Sequence, residues 1–393
     1  MKFSFQQQVI YELSTILFGY PNFVYAPKPA QLAGELPVFV FHSIEPALFE
    51  QQLVYLAEND YRTLSVNEFV HCLHGTREVP PRSVLLTIDD ARSSVWRYGL
   101  PLLKKYGMKA TVFVIPGRTL EAEQLRPNLE NVWQNKASIQ QLRALDPEDT
   151  ELCSWPEIRH MHATGLIDIE SHTLFHREVF VSPQIVDFVD QKTLFTPYNS
   201  PVTPYLQIDD VGNEVRLEDY YGFPLFAAMP LMAGQPALKV SDELLATCRS
   251  VFQQKNGDGD WKNYLRKKVG RYFEKQESVF QKNGEVENSL FEDLSLAKEL
   301  IRQKVSPEAG QHLCLPYTVG SEAAVAAARK AGMESCLWGT IPGQRTNRRG
   351  SDPFRIVRIK NDFIWRLPGK NRKSLLGIYG MKIKRRLNKE SVY

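Results

Sequence analysis

Ser83-Val84-Leu85-Leu86-Thr87-Ile88-Asp89-Asp90 is the stretch on which the fold turns. An apolar run of strand length closes on two adjacent carboxylates. Such a run, without polar alternation, reads as a buried strand. A second segment repeats the pattern: Leu166–Ile169 leads into Ser171-His172-Thr173-Leu174-Phe175-His176. Side chains at the carboxyl ends of parallel strands gather on one face of a barrel or open sheet. There, one carboxylate and two imidazoles can hold a divalent metal with open coordination positions. The neighbouring carboxylate is then free to act as a base.

Outward from these strings, apolar runs alternate with amphipathic segments. Leu36–His42 reads as a strand before a helical Pro46–Asn59. Ser94–Tyr106 reads as a helix stopped by Gly107, and Lys109–Ile115 as a strand. Trp155–Thr164 is helical and closed by Gly165. Ser295–Lys304 is helical, His312–Leu315 a strand, and Ser321–Ala331 a helix with Ser321 as its N-cap. Glu334–Trp338 and Phe354–Ile359 complete about seven strands with helices between them. That alternation predicts an α/β fold built on a parallel sheet or an incomplete barrel. Arg177 to Asn288 breaks the rhythm with Pro, Asn and Asp clusters and is too long for a bare loop. It reads as an insertion leaving the site face directly after His176. It is expected to cover the site as a lid, with Tyr221–Met232 as its apolar underside.

Composition excludes several classes. The 393 residues are 43% hydrophobic, enough for a sizeable core. Lys and Arg number 48 against 45 Asp and Glu, too balanced to imply nucleic-acid binding. Five widely spaced cysteines without C-x-x-C argue against a disulfide framework and favour a reducing compartment. No run of 18 apolar residues exists, so no membrane span is expected. Glu12 interrupts the first apolar stretch, which does not fit a signal peptide. A cytoplasmic location follows as the expectation. Phe3–Phe18 has helical spacing and reads as a helix docked on the main domain.

At the level of motifs the chain resembles the polysaccharide deacetylases, the NodB homology domain of carbohydrate esterase family four. Thr87-Ile88-Asp89-Asp90 is similar to the family's T-F-D-D, and His172 to His176 matches H-[ST]-x-x-H. Leu315-Pro316-Tyr317 resembles the third motif, R-x-P-Y, and Val38–His42 the opening strand. The likeness covers about residues 36–176 and 290–362, and implies a distorted, incomplete (β/α)7 barrel with a large insertion after the second motif. It also implies roles. Asp90, His172 and His176 would hold the metal, zinc before other cations. Asp89 would be the base, and the backbone N–H of Tyr317 would help hold the oxyanion. His42, Pro316, Trp338 and Arg358 would line the substrate; His42 reads equally well as a core histidine, Trp338 as core filling and Tyr317 as an aromatic wall.

The departures are specific. Cys314 stands where the third motif begins with Arg, and either Arg92 or Arg358 is a candidate replacement. Ala91 follows the two aspartates where the family has glycine, so the turn is expected to avoid a backbone conformation that favours glycine. No histidine follows His312 to serve as the family's late general acid. His160 and His162 read as surface or packing residues, and Asp258-Gly259-Asp260 as a turn. The tail from Gly369 is basic, with Leu375, Tyr379, Ile383 and Leu387 at four-residue spacing. It reads as a solvated terminal helix in preference to an interfacial helix drawn to anionic lipid.

The organisation expected is therefore a helix and connector (1–35), a discontinuous barrel (36–176 and 289–367), an insertion (177–288) and a basic tail (368–393). The function expected is metal-dependent removal of an acetyl group, N-acetyl before O-acetyl, from a sugar in glycan or surface-polysaccharide metabolism. The substrate would be an acetylated glycan, with or without a lipid link, and the tail is the place for any peripheral membrane contact. The alternative is a catalytically inactive relative that binds a glycan or partner in the same cleft.

Overall fold

A computed structural model describes residues 19–29, 31–255, 260–274 and 279–387. The expected helix Phe3–Phe18 and the turn at Asp258-Gly259 lie outside the described residues. The described residues form ten strands: β1 (Val38–Phe41), β2 (Arg62–Thr63), β3 (Ser83–Ile88), β4 (Ala110–Val114), β5 (Ile167–Ser171), β6 (Glu178–Phe188), β7 (Pro224–Pro230), β8 (His312–Cys314), β9 (Ser335–Leu337) and β10 (Ile359–Lys360). The main sheet runs β10-β1-β3-β4-β5-β8-β9, with β2 alongside β3. Every pairing in it is parallel. A lone parallel bridge between Leu337 and Ile356 draws the β9 edge towards the segment entering β10, so the sheet curls into a distorted, incomplete barrel. The seam between β5 and β8 is thin, held by the single pair Ser171 and Leu313.

The helices form where their caps and apolar spacing place them. Pro46–Glu58 begins under Glu45, whose carboxylate accepts from the N–H groups of Ala47 and Leu48. Gly107, at φ +63°, ends Leu100–Tyr106 in the left-handed conformation that glycine adopts at low cost. Val66–His74 carries a capping box from Ser65 and Glu68, a signal present in the sequence and left unused above. Two boundaries differ from expectation. The helix expected from Ser295 starts at Asn283, because Val286, Leu290, Leu294, Ala297 and Ile301 form one continuous buried stripe. It runs straight through position 289, where the insertion was expected to end. The strand expected over Phe354–Ile359 is a short 3₁₀ turn, Pro353–Arg355, followed by β10 alone.

The insertion has its own core. β6 and β7 pair as an antiparallel hairpin, and helices Asp242–Lys255 and Trp261–Phe273 pack on it around Phe180, Phe188, Phe226 and Leu265. Tyr221–Met232 therefore contributes Phe226 to this core, not only to a surface above the site. The insertion meets the barrel rim at separate places. Tyr198 lies over the Arg92 guanidinium at 3.8 Å, Gly212 N–H donates to Gly117 O at 3.1 Å, and Ser321 Oγ donates to Met232 O at 3.0 Å.

The chain's late segment also ties down its early one. Arg366 donates to the carbonyls of Val24 and Ala26, and Arg372 to those of Phe23, Ala26 and Pro27. The basic tail forms a helix, Leu375–Leu387, that is docked rather than solvated all round. Ile378 is buried, and Lys382 and Arg385 both reach the buried carboxylate of Asp362, while Leu376 and Ile383 face outward. No helix among the described residues is long and apolar enough to cross a membrane.

Candidate metal centre

Asp89 and Asp90 leave the end of β3 side by side and face different partners. At Asp90 the chain enters the left-handed region, φ +68°, and Ala91 follows at φ +57°. The turn thus adopts the conformation that the absence of glycine was expected to exclude. It is over-determined by its neighbours: Ala91 O accepts from Cys153 N–H at 2.7 Å, and Arg92 bridges Leu152. The Arg92 guanidinium then reaches back to Asp90, placing both of its donors on Oδ2, at 2.9 and 3.1 Å. Oδ1 is left facing His172 Nε2 at 3.6 Å and His176 Nε2 at 3.9 Å.

The two histidines are held from the β5 end. His172 N–H donates to Val114 O at 2.8 Å, and the ring Nδ1 pairs with Cys314 O at 2.9 Å. A carbonyl can only accept, so Nδ1 carries a proton, and Nε2 is the nitrogen turned towards Asp90. His176 lies at φ +53° after a loop anchored on both sides: Leu174 N–H donates to Asp293 at 3.0 Å, and Gly117 N–H donates to Leu174 O at 2.8 Å. Gly117 cannot be replaced without movement, since a Cβ there would lie 2.6 Å from Leu174 O. Burial, with His172 second, pushes the His176 pKa down to about 3, so its ring is neutral.

Asp90, His172 and His176 are all buried, and their ligand atoms lie within 4.8 Å of one another. A half-satisfied buried carboxylate facing two imidazole nitrogens, at separations too long for hydrogen bonds, fits a divalent cation between them. Asp89, His172 and Cys314 form a second convergent set. It is the poorer site. Both oxygens of Asp89 are already engaged, and burial holds the Cys314 thiol protonated, well above its ordinary pKa.

Asp89 is gripped by Arg358. Nη1 donates to Oδ1 at 2.6 Å and Nη2 to Oδ2 at 2.9 Å, and Arg358 itself is fixed by donation to Trp338 O. Of the two arginines singled out in the sequence, Arg358 thus pairs with Asp89 and Arg92 with Asp90. Burial alone would raise the pKa of Asp89; Arg358, ahead of His172 and His42, drives it far below the usual carboxylate range. His42 Nε2 stands 3.8 Å from Asp89 Oδ2 with its side chain 28% exposed. It is therefore neither a sealed core residue nor remote from the site.

Tyr317 turns through φ +55°, and its ring lies against His176 with centroids 4.5 Å apart. Pro316 is buried and opens that turn. Trp338 spends its indole N–H on Phe354 O at 2.8 Å, which fixes the ring beside the loop at Gly320. His312 lies in the core between Ser335 and Asn67. His160 packs on Trp96 at the surface, as expected.

Residues 76–194, which carry both motifs, match the polysaccharide deacetylase family. The poly-β-1,6-N-acetyl-D-glucosamine N-deacetylase of Staphylococcus aureus is 28% identical over 132 residues, covering 34% of this chain and 37% of its own length. The chain thus spans about a third of the length of the curated relatives it matches. Among solved structures, a de-N-acetylase from Aggregatibacter actinomycetemcomitans aligns with a TM-score of 0.49 at 14% identity, covering 88% of this chain and 99% of the other. The BpsB deacetylase domain from Bordetella bronchiseptica aligns with a TM-score of 0.47 at 19% identity, covering 85% and 88%.

Proposed function

On the premise that the chain belongs to the polysaccharide deacetylase family, we propose that it removes the acetyl group from an N-acetylated amino sugar within a glycan. The observation that carries this reading is the free Oδ1 of Asp90 facing His172 and His176, with Asp89 held beside it by Arg358. Asp90, His172 and His176 would be the ligands of a divalent cation, zinc by the character of the donor set. When bound, the cation would polarise the acyl carbonyl and acidify a water. Asp89, kept ionised and oriented by Arg358, would take the proton of the attacking water. The backbone N–H of Tyr317 would stabilise the charge that develops on the acyl oxygen. His42, beside Asp89 and partly open to solvent, stands where a proton can pass to the departing amine. His42, just after the first strand, would then stand in for the late histidine.

The rival reading, a binding protein without turnover, leaned on Cys314 and on that missing histidine. Arg358 bonded to Asp89 and His42 standing 3.8 Å from it support the reading as an enzyme. The five cysteines are free and buried, in keeping with a reducing compartment. Contacts at Arg92, Gly117 and Ser321 support a role for the insertion in shaping the substrate groove. Contact with a membrane would fall to Leu376 and Ile383; co-sedimentation with anionic liposomes, compared with a chain truncated at Gly369, tests it, and equal behaviour rejects it.

The function is tested by acetate release from a panel of acetylated sugars, with metal content measured in parallel. Asp89→Asn should lower turnover by about 10²–10⁴-fold with bound zinc unchanged. His172→Ala should lose both. Full activity in Asp89→Asn would refute the mechanism.

A further inference from the structure

Against the loop that joins β5 to β6, and that carries His172 and His176, lies a cavity of about 310 Å³. Leu174 and Arg177 line it from the loop, Leu231 and Leu238 from the insertion, and Ser289 and Asp293 from the helix Asn283–Lys304. None of the three proposed metal ligands lines it, and neither does Asp89. The volume falls within the ~300–1,000 Å³ of small-ligand pockets.

Two charges of opposite sign share these walls without pairing. Asp293 is only 6% exposed. Its Oδ1 accepts from Leu174 N–H at 3.0 Å, while Oδ2 has no donor among the described residues and stays open to the cavity. Arg177 gives Nη2 to Leu206 O at 2.8 Å, and its Nε is sealed in the protein. Its Nη1 has no acceptor among the described residues and is open. Arg177 and Asp293 attract one another across the gap, with Asp210 adding to the pull on Arg177, yet no ion pair joins them. The other cation of the lining, Lys239, is spent on Glu285 at 2.9 Å, and Glu292 is exposed at the mouth. Charges held away from water without a partner are costly. A ligand with one charge would satisfy one wall and leave the other stranded. A ligand with an ammonium at one end and a carboxylate at the other satisfies both.

We propose that this cavity binds a small zwitterion, an amino acid in the chemical sense, with its ammonium on Asp293 Oδ2 and its carboxylate on Arg177 Nη1. Leu174, which Asp293 holds, stands between His172 and His176 in the chain. The occupant therefore braces the loop that carries both histidines, and zinc and zwitterion strengthen each other's binding. The inference does not depend on which reaction the metal centre performs.

The test is calorimetric titration of the full chain with glycine, 4-aminobutyrate and 6-aminohexanoate, set against butylamine and butyrate, which carry one charge each. One of the zwitterions should bind roughly tenfold or more tightly than either single-charge probe. Asp293→Asn keeps the bond from Leu174 but turns N–H donors towards the cavity, and should weaken that zwitterion by about 10–100-fold. Ser289→Trp, which fills the cavity from the helix and leaves both charges in place, should abolish binding. The site is overturned if no zwitterion binds better than butylamine and butyrate, or if tight binding survives both variants. In a chelator competition, a saturating zwitterion should raise zinc affinity by the same factor by which zinc tightens the zwitterion. Zinc affinity that does not move overturns the coupling.

Discussion

Asp89 and Asp90 are adjacent in sequence, equally buried, and each is paired with an arginine, yet their surroundings make them opposites. Asp89 receives both donors of Arg358, one on each oxygen, and is closed as a ligand. Asp90 receives Nε and Nη2 of Arg92 on one oxygen, and the other is left facing two imidazoles. The difference lies in how the guanidinium approaches. Two donors spread across a carboxylate saturate and orient it; two donors converging on one oxygen keep its charge in place and leave a coordination position open. The division proposed between base and ligand therefore follows from their neighbours, not from the carboxylates themselves.

Three substitutions test that division, the largest expected effect first. Arg358→Met should cost about 3–5 kcal/mol in chemical denaturation, since it strands a buried charge. Adding Asp89→Asn should recover most of that loss, and a double variant no more stable than the single would break the comparison. Arg92→Met should act on the other carboxylate, lowering zinc affinity by about 10–100-fold in a chelator competition while Asp89 stays ionised. If Arg92→Met and Arg358→Met weaken zinc equally, the two arginines do not have separate roles.

Asp293 tests the support under the histidine loop. Burial raises its pKa to about 6, against roughly 4 in an unfolded chain, so the folded state binds its proton more tightly. Its ionisation therefore costs nothing below pH 4, an increasing amount between pH 4 and 6, and about 3 kcal/mol above that range. Asp293→Asn can still accept from Leu174 N–H, so it should match the wild type at pH 4 and exceed it in thermal stability at pH 7.5. A constant offset at both pH values would reject the assignment. The smallest effect is expected for Ala91→Gly. Relief of the left-handed alanine, less the added freedom of the unfolded chain, should stabilise by about 0.5–1 kcal/mol, measured by the shift in denaturation midpoint. Destabilisation would mean that the alanine methyl contributes more in packing than the turn costs.

The sheet was legible because its strands are buried on both faces and read as unbroken apolar runs; Ser83–Ile88 ends where it was expected to end. The three proposed ligands were legible because each lies within a few residues of a strand end. The partner of Asp89 was not, since Arg358 comes from 269 positions away and nothing local to it distinguishes it from Arg92. The turn at Ala91 was misjudged for a related reason. Local preference argued against a left-handed alanine, and contacts with Leu152 and Cys153, some sixty residues on, outweigh it. The cavity against Leu174 had no signature, because its walls come from distant elements and a buried helical aspartate looks like any other in sequence.

The pairing of β1 with both β3 and β10 has a consequence in time. During synthesis the two motif strings leave the ribosome long before Arg358 does, so the metal ligands can assemble while Asp89 still lacks its counter-charge. Only when β10 slots in beside β1 does the base acquire its orientation, and the same step joins the most distant parts of the barrel. Such long-range closure is slow to form. On the proposed roles, completion of the fold and competence for chemistry are one event, and a chain ending before Arg358 is expected to bind metal without turnover.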